Sequence, residues 1–328
     1  MAHFLRRILF YLAALWVAAT LDFLIPRLIP GDPVLRLYAN AQGRIDPKQL
    51  PALRASFGLS NKPLWQQYFD YLNNMVHGNF GLSFKFFPSP VSEVIKGGIF
   101  WTLILLGITT ILGFAIGTLL GIIAAWRRGG LLDRIFPPVM VFVQSMPYFF
   151  VALALLYFLA FKLQWFPLNG GFSPDYLDAP VDFNFIMDRI YHAILPAMSI
   201  LLVSLGGWML GMRNAMLNTL GEDYVLMAEA KGLPERRIML TYAARNAILP
   251  SVTNLAIVLG FVVSGSILTE YVFSYPGIGL TLVEAVGAGD YPLVQALFLI
   301  IATAVLVANF LADIAYAILD PRVREGRA

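Results

Sequence analysis

Long apolar runs separated by short polar segments constrain this chain more than any other feature. The run from Ile8 to Ile29, at about 20 residues, is long enough to cross the hydrocarbon core of a bilayer as a helix. Hydrophobic residues make up 59% of the chain and charged residues only 13%, a balance that is rare in soluble domains. We therefore predict an all-α polytopic membrane protein, with further spans near 99–126, 135–161, 191–216, 248–268 and 292–319.

The first apolar run admits a second interpretation as a secretory signal peptide. Arg6-Arg7 precedes it, and Ala18-Ala19 could form a cleavage region. The run resumes after Asp22, however, which favours a transmembrane helix with a cytoplasmic N-terminus. A carboxylate is costly in lipid, so we expect Asp22 to face protein or the outer interface in a structural role.

The distribution of basic residues predicts the orientation of the spans. Cations concentrate in the proposed inner segments, whereas the short outer loops, 162–190 and 272–291, hold only Lys162 and Arg189. The bias predicts six spans with both termini in the cytoplasm. We divide the chain into four regions: a first transmembrane helix (1–30), an extracytoplasmic cap region (31–97), a five-helix core (98–320) and a cytoplasmic tail (321–328). The core includes a cytoplasmic coupling loop at 217–247.

The polar region at 31–97 contains one amphipathic segment, Pro63 to Val76. An apolar stripe at helical spacing predicts a helix there, formed by Leu64, Tyr68, Tyr71, Leu72 and Met75. The region could provide a surface for a partner outside the membrane, or it could be a lid that only covers helix ends.

A second polar insertion, between Gly221 and Pro250, predicts two short helices joined by a turn. Acidic residues open the first helix and Lys231 closes it, in the order that a helix dipole favours. Gly232 supplies a stop and Pro234 prevents continuation. The residues at helical spacing on one face are Tyr224, Met227, Ala228 and Lys231. Such a face is suited to docking into a groove on another protein; a plain cytoplasmic loop with one helical turn is the alternative.

This insertion resembles the EAA loop of ABC-importer permeases, in its dipeptide/oligopeptide/nickel form with a long first loop. The shared letters are Asp223-Tyr224-Val225, Ala228 and Ala230-Lys231-Gly232-Leu233, followed by Arg245-Asn246-Ala247 and Pro250. Leu226 and Met227 stand where the strict motif has Glu and its first Ala. Three further segments are similar to the same family, in the same order: 31–33 (GDP), 271–279 (YVFSYPGIG) and 319–324 (LDPRVR).

The resemblance implies a type I ABC-importer permease fold with six transmembrane helices, in the inner membrane of a prokaryote. It implies as partners a second homologous permease subunit, two ATP-binding subunits and an extracytoplasmic substrate-binding protein, which the cap region would meet. ATP and Mg would bind to the partner subunits and no cofactor to this chain. The residues expected to couple to the ATPase are Asp223, Tyr224, Met227, Ala228, Lys231, Gly232 and Leu233.

Several features inside the spans concern packing or solute passage. Gly113, Gly117 and Gly121 recur every four residues, which allows close helix packing in lipid. Pro147 can kink the third span. Neutral polar groups near this kink and in the fifth span are candidates for the translocation path, although hydrogen bonding between helices is an equal alternative: Gln144, Ser145, Pro147, Asn254 and Ser264.

The sequence gives no support for an enzyme. It contains neither G-x-x-x-x-G-K-[ST] nor G-x-S-x-G nor H-E-x-x-H, it has no Cys, and its three histidines are far apart, so we expect no metal site. We predict a transport subunit that moves a small peptide received from a binding protein, with oligosaccharide import by the same machinery as the alternative. An ion-gradient-driven transporter would need buried acids or matching halves, and an intramembrane hydrolase would need a nucleophile–base pair.

Overall fold

The computed structural model describes residues 2–28, 62–177, 180, 182–262 and 265–319. This part of the chain is helical and contains no strand, with a short 3-10 turn at Pro174–Tyr176. The helices in chain order are α1 (Ala2–Leu28), α2 (Leu64–Val76), α3 (Val91–Trp126), α4 (Leu131–Gln144), α5 (Tyr148–Lys162), α6 (Phe183–Leu220), α7 (Asp223–Ala230), α8 (Glu235–Ala247), α9 (Leu249–Phe261), α10 (Ile267–Val272), α11 (Ile278–Ala288) and α12 (Tyr291–Leu319).

Four of the described helices are each long and apolar enough to cross a membrane: α1, α3, α6 and α12. Two bent pairs also qualify, α4 with α5 and α8 with α9, which gives six spans when each pair is one span. The all-α architecture and the positions of the apolar segments are therefore as predicted. The third predicted span is wrong as a single helix, because α4 and α5 meet at an angle of 100°.

Pro147 accounts for the break between α4 and α5. Its backbone angles are φ −58° and ψ 140°, which are not helical, and it stands immediately before α5. A proline lacks the N–H that would continue the ladder, and it disfavours helical geometry in the preceding residue. The last seven residues of α5, Leu156–Lys162, form a wider π-helical turn that sequence reasoning did not anticipate.

The helices form two compact units, and the division falls within α3. The described residues of the first unit are 2–28, 62–102, 265–267 and 276–311. Its core joins the beginning of α3 to α11 and α12 through Val91, Ile95, Ile278, Leu282, Ala285, Leu293, Ala296 and Leu297. The backbone N–H of Ile278 donates to Thr102 Oγ1 over 2.9 Å, which satisfies a free donor at the start of α11.

Asp290 organises the end of this unit where α12 begins. Its carboxylate is fully buried and accepts hydrogen bonds from Ser83 Oγ and from the backbone N–H groups of Lys85 (3.0 Å) and Leu293 (3.2 Å). Burial raises the pKa of Asp290, and these hydrogen bonds act in the opposite direction. Asp290 is thus both the N-cap of α12 and the attachment point of the segment before α3.

The predicted amphipathic helix is present as α2, and it packs on α1. The Phe23 ring lies 5.1 Å from the Tyr68 ring and 5.6 Å from the Tyr71 ring, centroid to centroid. The hydroxyl groups of Thr20 and Tyr68 are 2.7 Å apart. Asp22 was expected to face either protein or the outer interface. Its side chain is buried within this unit and so faces protein.

The described residues of the second unit are 103–177, 180, 182–262, 268–275 and 312–319. The glycines of α3 lie against α6 as predicted. A Cβ placed on Gly117 would come within 2.5 Å of Trp208 Cβ, and one on Gly121 within 2.5 Å of the Met209 carbonyl oxygen. These two glycines therefore permit backbone approach that no other residue would allow.

The fifth span also departs from its predicted bounds of 248–268. α9 begins at Leu249 and ends at Phe261, and α8 leads into it with a bend of 48°. The next helix, α10, is short and separate, and Glu270 is fully buried within it.

Candidate functional site

The candidate site is α7 with the turn that follows it, and local sequence explains its limits. Glu222 occupies the N-cap position with extended backbone angles, and Asp223 places an acid in the first turn. The helix ends at Ala230, and Gly232 adopts a left-handed φ of +68°. The backbone N–H of Gly232 donates to the Glu229 carbonyl over 2.8 Å, which caps the end of the helix. The predicted pair of short helices separated by a glycine turn is thus present.

One face of α7 is anchored within the second unit. Val225 and Ala228 are buried and pack with Ile238 at the start of α8, forming a small apolar cluster. The partly buried side chains around this cluster are Trp126, Leu220, Leu233 and Tyr242. Trp126 and Leu220 end α3 and α6, Leu233 lies in the turn after α7 and Tyr242 lies on α8, so α7 is held at a point where three other helices meet.

The opposite face of α7 is open. Tyr224 is 40% exposed, Leu226 50% and Met227 58%. Lys231 and Gly232 are also exposed. The predicted docking face therefore needs one correction, because Ala228 faces the interior and Leu226 takes its place on the exposed side. An alanine on a short helix fits either side, so spacing alone could not distinguish them.

A hydrogen bond fastens α7 to α8. The Asn246 side-chain amide donates to Tyr224 Oη over 3.0 Å and to the Tyr242 carbonyl over 3.2 Å. Sequence reasoning assigned Tyr224 and the Arg245-Asn246-Ala247 run to one motif without relating the two side chains. The contact gives the motif a structural reason, since it joins residues on successive helices.

α8 in turn is embedded among the carboxyl-terminal ends of longer helices. Ala243, Ala244 and Ala247 are buried against Met212 and Met216 of α6, and Ile122 and Ala125 of α3 complete the cluster. Within α8 the stretch Ile238–Ala244 is π-helical, a local widening that occurs often at functional sites. Pro250 stands near the first position of α9, where a missing N–H costs little.

An ion pair lies beside this assembly, between the start of α4 and α6. Arg213 Nε lies 2.6 Å from Asp133 Oδ1, and the backbone N–H of Gly129 donates to Asp133 Oδ2 over 2.8 Å. Both charged side chains are largely shielded from solvent by neighbouring parts of the chain. It ties the turn between α3 and α4 to α6.

The structure distributes the candidate path residues over different helices. Gln144 ends α4, and its side chain lies beside Gly206 of α6. The Ser145 hydroxyl donates to the Phe142 carbonyl over 2.7 Å, so it contributes to the end of α4. Asn254 is exposed on α9, and Ser264 lies outside the described residues. Their assignment to a solute path stays a prediction.

The described residues contain no group of three His, Asp or Glu side chains placed to hold a metal ion. The chemistry available at the candidate site is accordingly that of contact: an exposed apolar face on a short helix, an anchored opposite face, and a hydrogen-bonded connection to longer helices.

Comparison with known proteins gives this arrangement its context. Residues 117–325, which include the whole of α7 and α8, match the family described as binding-protein-dependent transport system inner membrane component. The oligopeptide transport system permease protein AppB of Bacillus subtilis is 35% identical over 326 residues, covering 98% of this chain and 99% of that protein.

Two further relatives are similar over their whole lengths. The di/tripeptide transport system permease protein DppB of Pseudomonas aeruginosa is 36% identical over 336 residues, covering 98% of each chain. The dipeptide transport system permease protein DppB of Escherichia coli K12 is 35% identical over 341 residues, covering 99% of each. The chain therefore belongs to the binding-protein-dependent inner membrane components, the permease subunits of ABC importers.

Proposed function

We propose that α7 is the element through which an ATP-binding subunit drives this permease. The observation that carries the proposal is the division of α7 into two faces. Val225 and Ala228 are buried against the chain, whereas Tyr224, Leu226 and Met227 are exposed. A short helix with an exposed apolar face is suited to a groove on a partner protein. The coupling surface comprises these exposed residues together with Asp223, Lys231, Gly232 and Leu233.

Force applied to α7 has a continuous route into the spans of the second unit. Ala228 packs on Ile238, and Tyr224 accepts a hydrogen bond from Asn246. α8 in turn packs on α6 through Ala243 and Ala247. A displacement of α7 would therefore move α8 and the inner end of α6 together. Closure of the ATPase would tilt α6 and α9 in this way and change access to the solute path.

The proposed assembly contains a second homologous permease, two ATP-binding subunits and an extracytoplasmic binding protein. ATP and Mg bind to the ATPase subunits, and this chain binds no cofactor. Both termini lie in the cytoplasm, which follows from the excess of Arg and Lys in the proposed inner segments. The cap region at 31–97 faces the binding protein. The division into 1–30, 31–97, 98–320 and 321–328 belongs to the same proposal.

A small peptide is the proposed solute. The names of the relatives refer to dipeptides, di/tripeptides and oligopeptides. The candidate lining groups Gln144, Ser145, Asn254 and Ser264 are neutral, and neutral polar groups can bond to peptide amides. They would also suit sugar hydroxyl groups, so oligosaccharide import is the second candidate. Titration of the purified binding protein with both solute classes distinguishes them.

The coupling role is tested by introducing a charge on the exposed face. Met227→Glu should leave membrane insertion intact, weaken co-purification of the ATP-binding subunits and abolish uptake, because a carboxylate would be desolvated in an apolar groove. Glu229→Gln, on the same helix and also exposed, is the matched control and should retain both properties. Normal uptake by Met227→Glu would contradict the proposal. Uptake that follows an ion gradient without ATP would favour a secondary transporter instead.

A further inference from the structure

The amphipathic helix α2 has an apolar surface that its packing on α1 does not use. Within Leu64–Val76, all of which the structure describes, no residue is fully buried. The side chains that meet α1 are those of Tyr68 and Tyr71, through the Phe23 ring and the Thr20 hydroxyl. A helix this hydrophobic on one side would ordinarily bury that side completely.

The unused surface is a narrow stripe beside the α1 contact. Trp65 is 62% exposed, Phe69 63% and Val76 78%. At about 100° per residue these three positions fall within an arc of about 40°, next to the arc that holds Tyr68 and Leu72. Two aromatic rings and a valine thus form one continuous apolar strip along the outside of α2.

The far side of α2 is polar. Asp70, Asn73 and Asn74 are exposed there, and Lys62 Nζ pairs with Asp70 Oδ2 over 2.6 Å. α2 therefore has three surfaces in sequence around its axis: one against α1, one apolar and exposed, and one polar and exposed. A helix that lies in the plane of a membrane interface has this arrangement.

The contacts between α2 and α1 also indicate the level of α2 along the membrane-crossing part of α1. The membrane-crossing segment of α1 is Arg6–Leu24, and both Thr20 and Phe23 lie within its last turn and a half. α2 is consequently attached where α1 leaves the hydrocarbon. On α1 itself Trp16, Leu21 and Leu24 are exposed, so the apolar strip of α2 adjoins a surface that the span presents to lipid.

We infer that the bilayer covers the strip, with α2 lying in the outer interface and Trp65, Phe69 and Val76 inserted at the boundary between headgroups and acyl chains. Tryptophan is enriched at this depth because its ring is apolar and its N–H is polar. Arg27 fits the same level, since its guanidinium lies 3.6 Å from the Phe23 ring centroid and bonds Gln67 Oε1 over 3.3 Å. The assignment to the outer leaflet, unlike the contact with lipid, depends on the proposed topology.

The test uses single-cysteine variants, because the chain contains no cysteine of its own. Phe69→Cys and the matched control Asn74→Cys, on the polar side of α2, carry a nitroxide label in the assembled transporter, reconstituted in nanodiscs of phosphatidylcholine and phosphatidylglycerol. Collision of the label with oxygen reports lipid, and collision with a water-soluble nickel chelate reports solvent. We expect the ratio of oxygen to nickel accessibility to be several-fold higher at position 69 than at position 74.

Two results would overturn the inference. Equal ratios at the two positions would place the strip in water. Shielding of position 69 from both reagents would mean that a protein partner covers it, and repeating the measurement without the binding protein would identify that partner. Trp65→Cys supplies a second position on the strip if Phe69→Cys does not assemble, and retention of uptake confirms that each labelled variant is folded.

Discussion

The side-chain amide of Asn246 donates a hydrogen bond to the Tyr224 hydroxyl across 3.0 Å. The two residues lie on successive helices, and between them stand the turn at Gly232 and most of α8. The bond therefore holds α7 at one angle to α8, so that α8 follows when a partner displaces α7.

Removing either side of this bond should loosen the coupling without unfolding the chain. Tyr224→Phe keeps the ring and removes only the hydroxyl, and Asn246→Ala removes the donor. A hydrogen bond of this kind contributes about 1 kcal/mol, so each variant should lower solute-stimulated ATPase activity several-fold. In a double-mutant cycle the combined variant should behave like either single one. Fully additive losses would show that the two side chains act independently.

The buried side of α7 should tolerate no increase in volume at Ala228. Ala228→Leu forces extra methyl groups between α7 and Ile238, which costs about 1–3 kcal/mol in a packed site. We expect loss of uptake with normal membrane insertion. Ala230→Leu makes the same change two residues later on an exposed position and serves as the control. Equal activity of the two variants would contradict the assignment of faces.

We expect a substitution at Gly232 to be tolerated if the new residue can adopt a left-handed backbone conformation, whatever the size of its side chain. A Cβ at this position meets nothing within 4 Å, whereas φ is +68°. Gly232→Asn should therefore retain most uptake, because Asn tolerates left-handed angles, and Gly232→Val should abolish it. Radiolabelled solute uptake in vesicles measures both. If the two variants are equally impaired, side-chain size at the partner interface determines the effect instead.

The contact between α3 and α6 should be sensitive at Gly121 and insensitive at Gly107. A Cβ on Gly121 would overlap the Met209 carbonyl, whereas one on Gly107 meets nothing within 4 Å. Gly121→Ala should lower the thermal stability of the purified protein by about 1–3 kcal/mol, and Gly107→Ala should leave it unchanged. Thermal unfolding in detergent, followed by size-exclusion fluorescence, provides the comparison. If the thermal stability of Gly121→Ala equals that of the unchanged protein, α3 and α6 are not closely packed at this position.

Sequence predicted most of the architecture because its strongest signals are long or local. Apolar runs predicted the spans. The charges at the two ends of α7, together with Gly232, predicted a helix that stops before this glycine, and α7 does end at Ala230. The amphipathic stripe predicted α2, which begins at Leu64, one residue after the predicted start at Pro63, and ends at Val76 as predicted. The spacing of Gly113, Gly117 and Gly121 gave the α3 surface that meets α6.

Features that depend on tertiary contacts were not predictable in this way. Pro147 indicated a kink, yet a proline by itself does not set the angle, and α4 and α5 meet at 100°. Ala228 was assigned to the exposed face because periodicity does not tell which side of a short helix is buried. The bond between Tyr224 and Asn246 joins two positions 22 residues apart, beyond any helical period.

Accessibility of position 227 tests the central claim most directly. The chain lacks cysteine, so Met227→Cys provides one reactive thiol on the exposed face of α7. In inside-out vesicles a membrane-impermeant maleimide should label this thiol when the ATP-binding subunits have been stripped away. Reassembly with those subunits should protect it several-fold, and Glu229→Cys provides a comparison position on the same helix. Labelling only from the outer side of the membrane, or undiminished labelling in a complex that hydrolyses ATP and transports solute, would contradict the account.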